Sequence, residues 1–234
     1  MAVRNIVVLT GAGVSAESGL ATFRGPEGLW EGHRVEDVAT PEAFSRDPVL
    51  VHSFYDARRA KLETIRPNPA HRALAQLDLE WKSELLLVTQ NVDDLHERAG
   101  SERLIHMHGE LSKGWCLGCN ARFSWRGPMG KGAGCPVCQR SGMVRPDIVW
   151  FGEMPYQMER INDALRDCDL FVSIGTSGAV YPAAGFVQNA RYSGARTLEI
   201  NLEPSLGSIF FDESRTGSAG KLVPLWVEEV LATA

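Results

Sequence analysis

Positive charge is in short supply in this chain: 24 Lys and Arg stand against 29 Asp and Glu, a formal net charge of −5. That balance argues against a general nucleic-acid binder, because affinity for a phosphate backbone comes from a basic surplus that displaces counterions. No apolar run approaches the roughly 18 residues that a membrane span needs. The opening "MAVRNIVVLTGAG" runs straight into structural sequence without a signal-peptide cleavage pattern. We therefore expect a cytoplasmic protein with no nucleic-acid or membrane partner. Internal repeats and low-complexity tracts are lacking too. Cysteine is sparse, five in 234 residues, and in a cytosolic chain such residues serve as metal ligands more often than as disulfides. The length is enough to bury a sizeable core, as one large domain or a domain with an insertion.

What is present is alternation. "NIVVLT" (5–10), "SELLLVTQN" (83–91), "DLFVSIGTS" (169–177) and "ARTLEIN" (195–201) are short apolar runs ending in small or polar residues, the pattern of buried strands. Helical patterns lie between them at 68–80, 158–167 and 183–194. Strands alternating with helices imply an α/β fold: a Rossmann-like, mainly parallel sheet with helices on both faces and right-handed crossovers. Two segments break the alternation. Residues 32–66 are helical and charged, and residues 111–145 carry cysteines among glycines and prolines. Both are expected to form a smaller lobe beside a Rossmann-like domain made of 1–31, 67–110 and 146–234. A cleft between two lobes is a usual place for a ligand.

"LTGAGVSAESGLATFRG" (9–25) follows the first strand. Gly11-x-Gly13-x-x-Ala16 fits the dinucleotide fingerprint, in which glycines let the backbone turn tightly and approach a pyrophosphate held by a helix N-terminus. Tight strand-to-helix turns without a ligand use such glycines as well. One element of that plan is missing: no second strand ending in an acid follows about 20 residues on. "TFRGPEGLWEGH" stands there instead, a long loop with Phe23, Arg24 and Trp30. Ribose or adenosine contacts are then expected at the strand end "INLE", from Asn201 and Glu203. A hydride-transfer enzyme becomes a weak reading, while a dinucleotide stays in play.

Four of the cysteines fall as Cys116-x2-Cys119 and Cys135-x2-Cys138, with fifteen residues between the pairs. Two such knuckles can close tetrahedrally around one zinc. Four thiolates leave no open coordination position, so the metal would be structural; a disulfide pair is the alternative. Cys168 reads as a small core residue. "VTQNVDDLHERAG" puts Gln90, Asn91 and Asp93 just past a strand end, where open α/β sheets bind ligands, although Asn91 or Asp93 could equally cap the next helix. In "LIHMHGEL", His106 and His108 face opposite ways if the segment is extended, so one of them enters the cleft. His108, followed by Gly109 at the junction of the two lobes, is the general-base candidate, against a structural histidine. "VRPDIVWFGE" (144–153) reads as an edge strand, since Pro146 lacks a donor.

"SFYDARRAKL" (53–62) is a charged helix in which positions three and four apart share a face. Arg59 has Asp56 and Glu63 at that spacing and reads as a solvated residue neutralised within its own helix. The positions flanking Arg58 are Phe54, Tyr55, Lys61 and Leu62. It reads either as a solvated arginine whose stem covers apolar surface or as half of a Tyr55/Arg58 pair for an external anion.

Taken together and in this order, "GAGVSAESGLATFRG", "TQNVDDLHERAG", "HMHGE", the two cysteine knuckles, "RPDIVWFGE", "GTS" (175–177) and "INLE" resemble the sirtuins, the NAD-dependent protein-lysine deacylases. The matching segments span nearly the whole chain. The resemblance implies that Gly11, Ala12, Gly13, Ser15, Glu17, Thr22, Phe23, Arg24 and Trp30 hold NAD, with Phe23 and Arg24 nearest the reacting ribose. It implies that Gln90, Asn91 and Asp93 line the nicotinamide and ribose pocket, with Asn91 taking part in catalysis. Gly175, Thr176, Ser177, Asn201 and Glu203 would hold the adenosine half, and Ala219 would touch adenine. His108 becomes the general base and Cys116, Cys119, Cys135 and Cys138 the ligands of one structural zinc. The segment carrying Val149, Phe151 and Gly152 would pair its backbone with a substrate peptide. "GLATFRGPEGLWEGHRVEDVATPEAF" with "FYDARRAKL" resembles class III sirtuins of the bacterial type, whose Tyr-x-x-Arg pair selects succinyl, malonyl and glutaryl lysine. Here that pair is Tyr55 and Arg58, with Ala39 widening the pocket.

The mechanism so implied has the acyl-lysine oxygen attack the nicotinamide ribose carbon as nicotinamide leaves. His108 then takes a proton from a ribose hydroxyl, and water completes transfer to give free lysine and O-acyl-ADP-ribose. NAD is consumed as a co-substrate. We expect removal of both acetyl and acidic acyl groups, acylated lysine in proteins or peptides as partner, and a monomer. The rival readings are an NAD-dependent mono-ADP-ribosyltransferase and a non-catalytic zinc-ribbon binding module.

Overall fold

The computed structural model describes residues 3–21, 30, 32–130 and 132–233. Among these residues the strands are β1 (Ile6–Thr10), β2 (Leu85–Thr89), β3 (Leu104–His106), β4 (Gly109–Cys116), β5 (Arg122–Ser124), β6 (Val144–Ile148), β7 (Leu170–Ile174), β8 (Arg196–Asn201) and β9 (Glu213–Thr216). The helices are α1 (Gly13–Ala16), α2 (Val35–Val38), α3 (Pro41–Arg46), α4 (Pro48–Thr64), α5 (Pro69–Glu80), α6 (Leu95–Ala99), α7 (Met158–Asp167), α8 (Phe186–Tyr192) and α9 (Ala219–Leu231).

Six strands form one sheet in the order β3-β2-β1-β7-β8-β9, and every pairing in it is parallel. The continuous apolar runs of the sequence have a direct cause: both faces of this sheet are covered. Successive residues of β1 point to opposite sides, so Ile6 and Val8 join the core under α5 and α9 while Val7 and Leu9 join the core under α7 and α8. Counted in chain order within the sheet, the strands run 3-2-1-4-5-6, the doubly wound Rossmann order. The strand order reverses between β1 and β7, and that switch point is where such sheets open a crevice at their carboxyl ends. The parallel α/β sheet expected from the sequence is therefore present.

A second, antiparallel sheet has the order β5-β4-β6. β6 is its edge, and Pro146 sits in it opposite Gly114, as a residue without a donor requires. Helices α2 to α4 fill 32–66. Thr40 caps α3 by accepting the Ala43 N–H at 3.0 Å, and Asp47 caps α4 by accepting the Leu50 N–H at 3.0 Å. Among the described residues no helix is long and apolar enough to cross a membrane.

Candidate active site

The loops after β1 and β7 meet at the switch point. The Gly13 N–H donates to the Gly175 carbonyl at 2.8 Å, and a Cβ on Gly13 would lie 2.7 Å from the Gly175 Cα. The glycines of the fingerprint are thus demanded first by backbone packing against Gly175 and Thr176 after β7, whatever they hold besides. A cavity of about 690 Å³ opens over this contact and runs to α4 and to the segment after β6.

The cavity floor is a hydrogen-bonded cluster. The Asn91 amide donates to the Gly11 carbonyl and to Ser15 Oγ, both at 3.1 Å. Ser15 Oγ in turn donates to Asp93 Oδ2 at 3.0 Å, and His71 Nε2 lies 3.3 Å from the same hydroxyl. Burial pushes the Asp93 carboxyl up, against the Leu95 N–H and the Ser15 hydroxyl that favour its charge. Gln90 reaches Thr176 Oγ1 at 3.1 Å, and the Asn201 amide donates to the Thr176 carbonyl at 2.8 Å. Glu17 accepts the Gly220 N–H at 2.8 Å, so it caps the first turn of α9 as well as lining the cavity. Ser177, Glu203, Ala12 and Ala219 line the same space.

His106 and His108 do face opposite ways: His108 lines the cavity, whereas His106 meets Glu97 at 2.6 Å. Gly109 makes the turn after His108 at φ +81°, and a Cβ there would fall 2.0 Å from the Asp147 carbonyl oxygen. His108 Nδ1 lies 3.3 Å from the Gln90 carbonyl. A carbonyl only accepts, so Nδ1 carries the proton and Nε2 keeps its lone pair. Burial pushes the imidazole down from its ordinary value, opposed by that hydrogen bond. A neutral ring with a basic Nε2 is the state a proton acceptor needs.

At the far end Ala39, Tyr55 and Arg58 line the cavity together. Tyr55 is fully buried, and its hydroxyl oxygen accepts the Trp150 indole N–H at 2.9 Å. The Arg58 guanidinium lies over the Trp30 ring, 4.2 Å from its centroid. Arg58 is half-buried and faces the same cavity as Tyr55. Arg59 overturns its expectation. It is 6% exposed and donates to Asp56 at 2.6 Å and to the Leu111 carbonyl at 2.7 Å. The Asp56 pairing at i−3 holds as read; the solvated face does not, because Arg59 ties α4 to β4.

Val149, Phe151 and Gly152 line the cavity beyond β6. The backbone N–H groups of Val149, Trp150 and Phe151 go to the His108 carbonyl, the Glu153 carboxylate and the Ala39 carbonyl. Thr22, Phe23 and Arg24 lie outside the described residues. Sequence reasoning missed Leu20, Tyr181, Ser205, Leu206 and Ser218, which also line the cavity. Ser218 had a faint signal, a Gly-Ser pair after a strand, but that strand is the polar β9.

The four cysteine sulfurs lie within 4.8 Å of one another, with Cys116 to Cys138 and Cys119 to Cys135 both 3.7 Å apart. Thiolates about 2.3 Å from a tetrahedral zinc stand roughly 3.8 Å apart, so the donor set fits that ion. The sulfurs are too far apart for disulfides, whose S–S bond is about 2 Å.

A doubly wound sheet with a deep cavity at its switch point and a four-cysteine ribbon defines a dinucleotide-binding α/β protein with a structural metal module. Residues 11–182 match the Sir2 family, and the chain belongs to it. It is 56% identical over 231 residues to an NAD-dependent protein deacylase of Shewanella oneidensis, covering 98% of this chain and 95% of that one. It is 57% identical over 231 residues to the protein of that name from Vibrio parahaemolyticus, with 98% and 96% covered. Among solved structures, a Sir2 homologue–NAD complex superposes with a TM-score of 0.90 at 39% identity, over 99% of this chain and 91% of that one. A Sir2 protein bound to acetylated peptide gives 0.83 at 26% identity, over 97% and 93%.

Proposed function

We propose that this chain is an NAD-dependent protein-lysine deacylase acting on acetyl and acidic acyl groups, with Tyr55 and Arg58 as the acyl selectors. The observation that carries the reading is His108: a neutral imidazole, its Nδ1 tied to the Gln90 carbonyl, in the cavity that Asn91 and Gly11 share. Bound NAD supplies an activated ribose carbon that the acyl oxygen captures as nicotinamide leaves. Asn91, Gln90 and Asp93 shape the pocket around that ribose. His108 Nε2 accepts the ribose hydroxyl proton. Thr176, Ser177, Asn201, Glu203 and Ala219 hold the adenosine half, and Gly11 to Ser15 face the pyrophosphate. Phe23 and Arg24 belong to this reading through the family resemblance alone. The segment from Val149 to Gly152 meets the peptide backbone chiefly through its carbonyls, since its first three N–H groups are spent within the chain.

For an acidic acyl group, the Arg58 fork supplies two parallel charge-assisted bonds and Tyr55 a further donor. Its oxygen already accepts from Trp150, so its own proton is what it offers the substrate. We also propose the lobe division 1–31, 67–110 and 146–234 against 32–66 and 111–145, supported by all six parallel strands falling in the first set, although its bounds cut β4 and β6 of the second sheet. A cytoplasmic monomer is part of the same reading.

Incubation with NAD and matched acetyl- and succinyl-lysine peptides tests it. Nicotinamide and free lysine should form in equal amounts with both peptides. Label transfer from NAD to protein without deacylation would instead indicate an ADP-ribosyltransferase, and no reaction a binding module. Arg58→Met should cost desuccinylation about 10- to 100-fold, the scale of a charged hydrogen-bonded pair, and deacetylation far less. An equal loss on both substrates would sink the carboxylate clamp.

A further inference from the structure

His106 lies outside the cavity, yet it holds one wall of it. Its Nδ1 is 3.0 Å from the Asn91 carbonyl and its Nε2 is 2.6 Å from Glu97 Oε1. Both partners only accept. A neutral imidazole donates from one nitrogen, so only the imidazolium satisfies the two together. Asn91 stands at the start of the turn between β2 and α6, the turn that also carries Asp93, and Glu97 stands in α6 itself, so the ring bridges the turn to the helix that follows it. The next histidine along, His108, takes the neighbouring carbonyl, that of Gln90. Consecutive carbonyls of the turn are thus each gripped by a ring from β3 and the residues after it.

We propose that His106 is a positioning residue: as an imidazolium it staples Asn91 to Glu97, and the dinucleotide site loosens when it loses its proton. The inference rests on the NAD-binding reading of the cavity.

The surroundings favour the charge. Burial by itself would push His106 down, but the Glu97 carboxylate, Glu110 and the Asn91 carbonyl outweigh it and the net direction is up. Asp93 faces it from the turn and His96 from α6, the latter opposing. Atoms of Glu97, His106 and Glu110 lie within 4.8 Å of one another, a spacing that a metal ion could also use. The Lys113 ammonium already sits on Glu110, however, and the imidazole sits on Glu97. Two cations answer the two carboxylates.

ADP-ribose binding measured by calorimetry across pH 6 to 9 tests the role apart from catalysis, alongside nitrogen NMR of the histidine rings. The wild-type dissociation constant should rise roughly three- to tenfold, the scale of one hydrogen bond, as His106 deprotonates above the ordinary imidazole range. In His106→Gln it should be weak throughout and flat with pH. Glu97→Gln keeps an acceptor but removes the charge, so the rise should move to lower pH, which loss of packing alone would not produce. A His106 ring that titrates at or below the ordinary value overturns the proposal, as does an unchanged rise in His106→Gln. No ADP-ribose binding at any pH would instead overturn the NAD reading itself and this role with it.

Discussion

The Trp150 indole N–H donates to the Tyr55 hydroxyl at 2.9 Å, across 95 residues of sequence. Trp150 is itself held by Arg145, whose guanidinium lies 3.3 Å from the indole centroid and pairs with Glu153 at 2.6 Å. Arg145 also lies 4.9 Å from the Trp115 ring, which immediately precedes Cys116. A stack of rings and cations therefore runs from the cysteine ribbon to the acyl end of the cavity. Because Trp150 fills an acceptor site on Tyr55, the phenol proton points elsewhere. Trp150→Phe keeps the stack but removes the N–H. We expect KM for a succinyl-lysine peptide to rise about three- to tenfold, the worth of one hydrogen bond, with the acetyl-peptide KM within about twofold. Steady-state kinetics on the two peptides decides it, and parallel changes would show that Trp150 merely packs.

His108 predicts a pH limb. The ring must be neutral to accept a proton, and burial pushes its ionisation below the ordinary value. The rate should rise with pH through a midpoint under about 6.5 and level off above it. His108→Ala should lower turnover by about 10²- to 10⁴-fold, the usual worth of a general base, and leave zinc content unchanged. Metal analysis with single-turnover assays separates the roles: zinc lost together with activity would mark a structural histidine.

Much of this was legible in the chain because burial and chemistry agree at the strand ends. Runs such as "LLLVT" are apolar on both faces because both faces are covered, so they stand out as unbroken apolar runs rather than by alternation. The spacing of Cys116, Cys119, Cys135 and Cys138 is a local geometric constraint that the chain writes out directly. The burial of Arg59 is not legible locally, because helix spacing reports a face and not what covers it; β4 arrives from 52 residues away to take its Nε. β9, "ESRT", escaped notice because an edge strand of four largely exposed polar residues carries no apolar signal. α9 is masked in the sequence by Pro224 in its interior, a residue that normally breaks a helix. The Trp150–Tyr55 bond lay beyond reach, since nothing local marks the partner of a buried hydroxyl.

The ribbon should depend on its metal. Its own core is small, with Cys116, Met129, Cys135 and Val144 as the buried members, too little to order such a segment by burial alone. One zinc per chain is expected by elemental analysis. Removal by a strong chelator, or Cys119→Ser, should lower the melting temperature by several degrees, since structural zinc contributes folding energy directly. Trp115 sits between Arg122, 4.4 Å away, and Arg145, so tryptophan fluorescence should shift with it. Metal removal without either change would refute a structural role.

His71 sets the acid side of stability. It is fully buried, and its Nδ1 accepts the Asn68 N–H at 3.3 Å in the cap of α5. Burial, with Arg72 nearby, pushes the ring down to about 4. His96, with ring centroids 4.9 Å from it, is pushed down by burial as well. The folded form refuses a proton that the unfolded chain accepts. The contribution of His71 is therefore complete above about 6.5 and is lost as pH falls from there towards 4. Over that whole window the loss amounts to roughly 3 kcal/mol. Denaturant midpoints measured between pH 4 and 7 should fall towards acid. His71→Asn should be less stable at pH 7 yet show a shallower slope; an equal slope would assign the acid sensitivity to other groups.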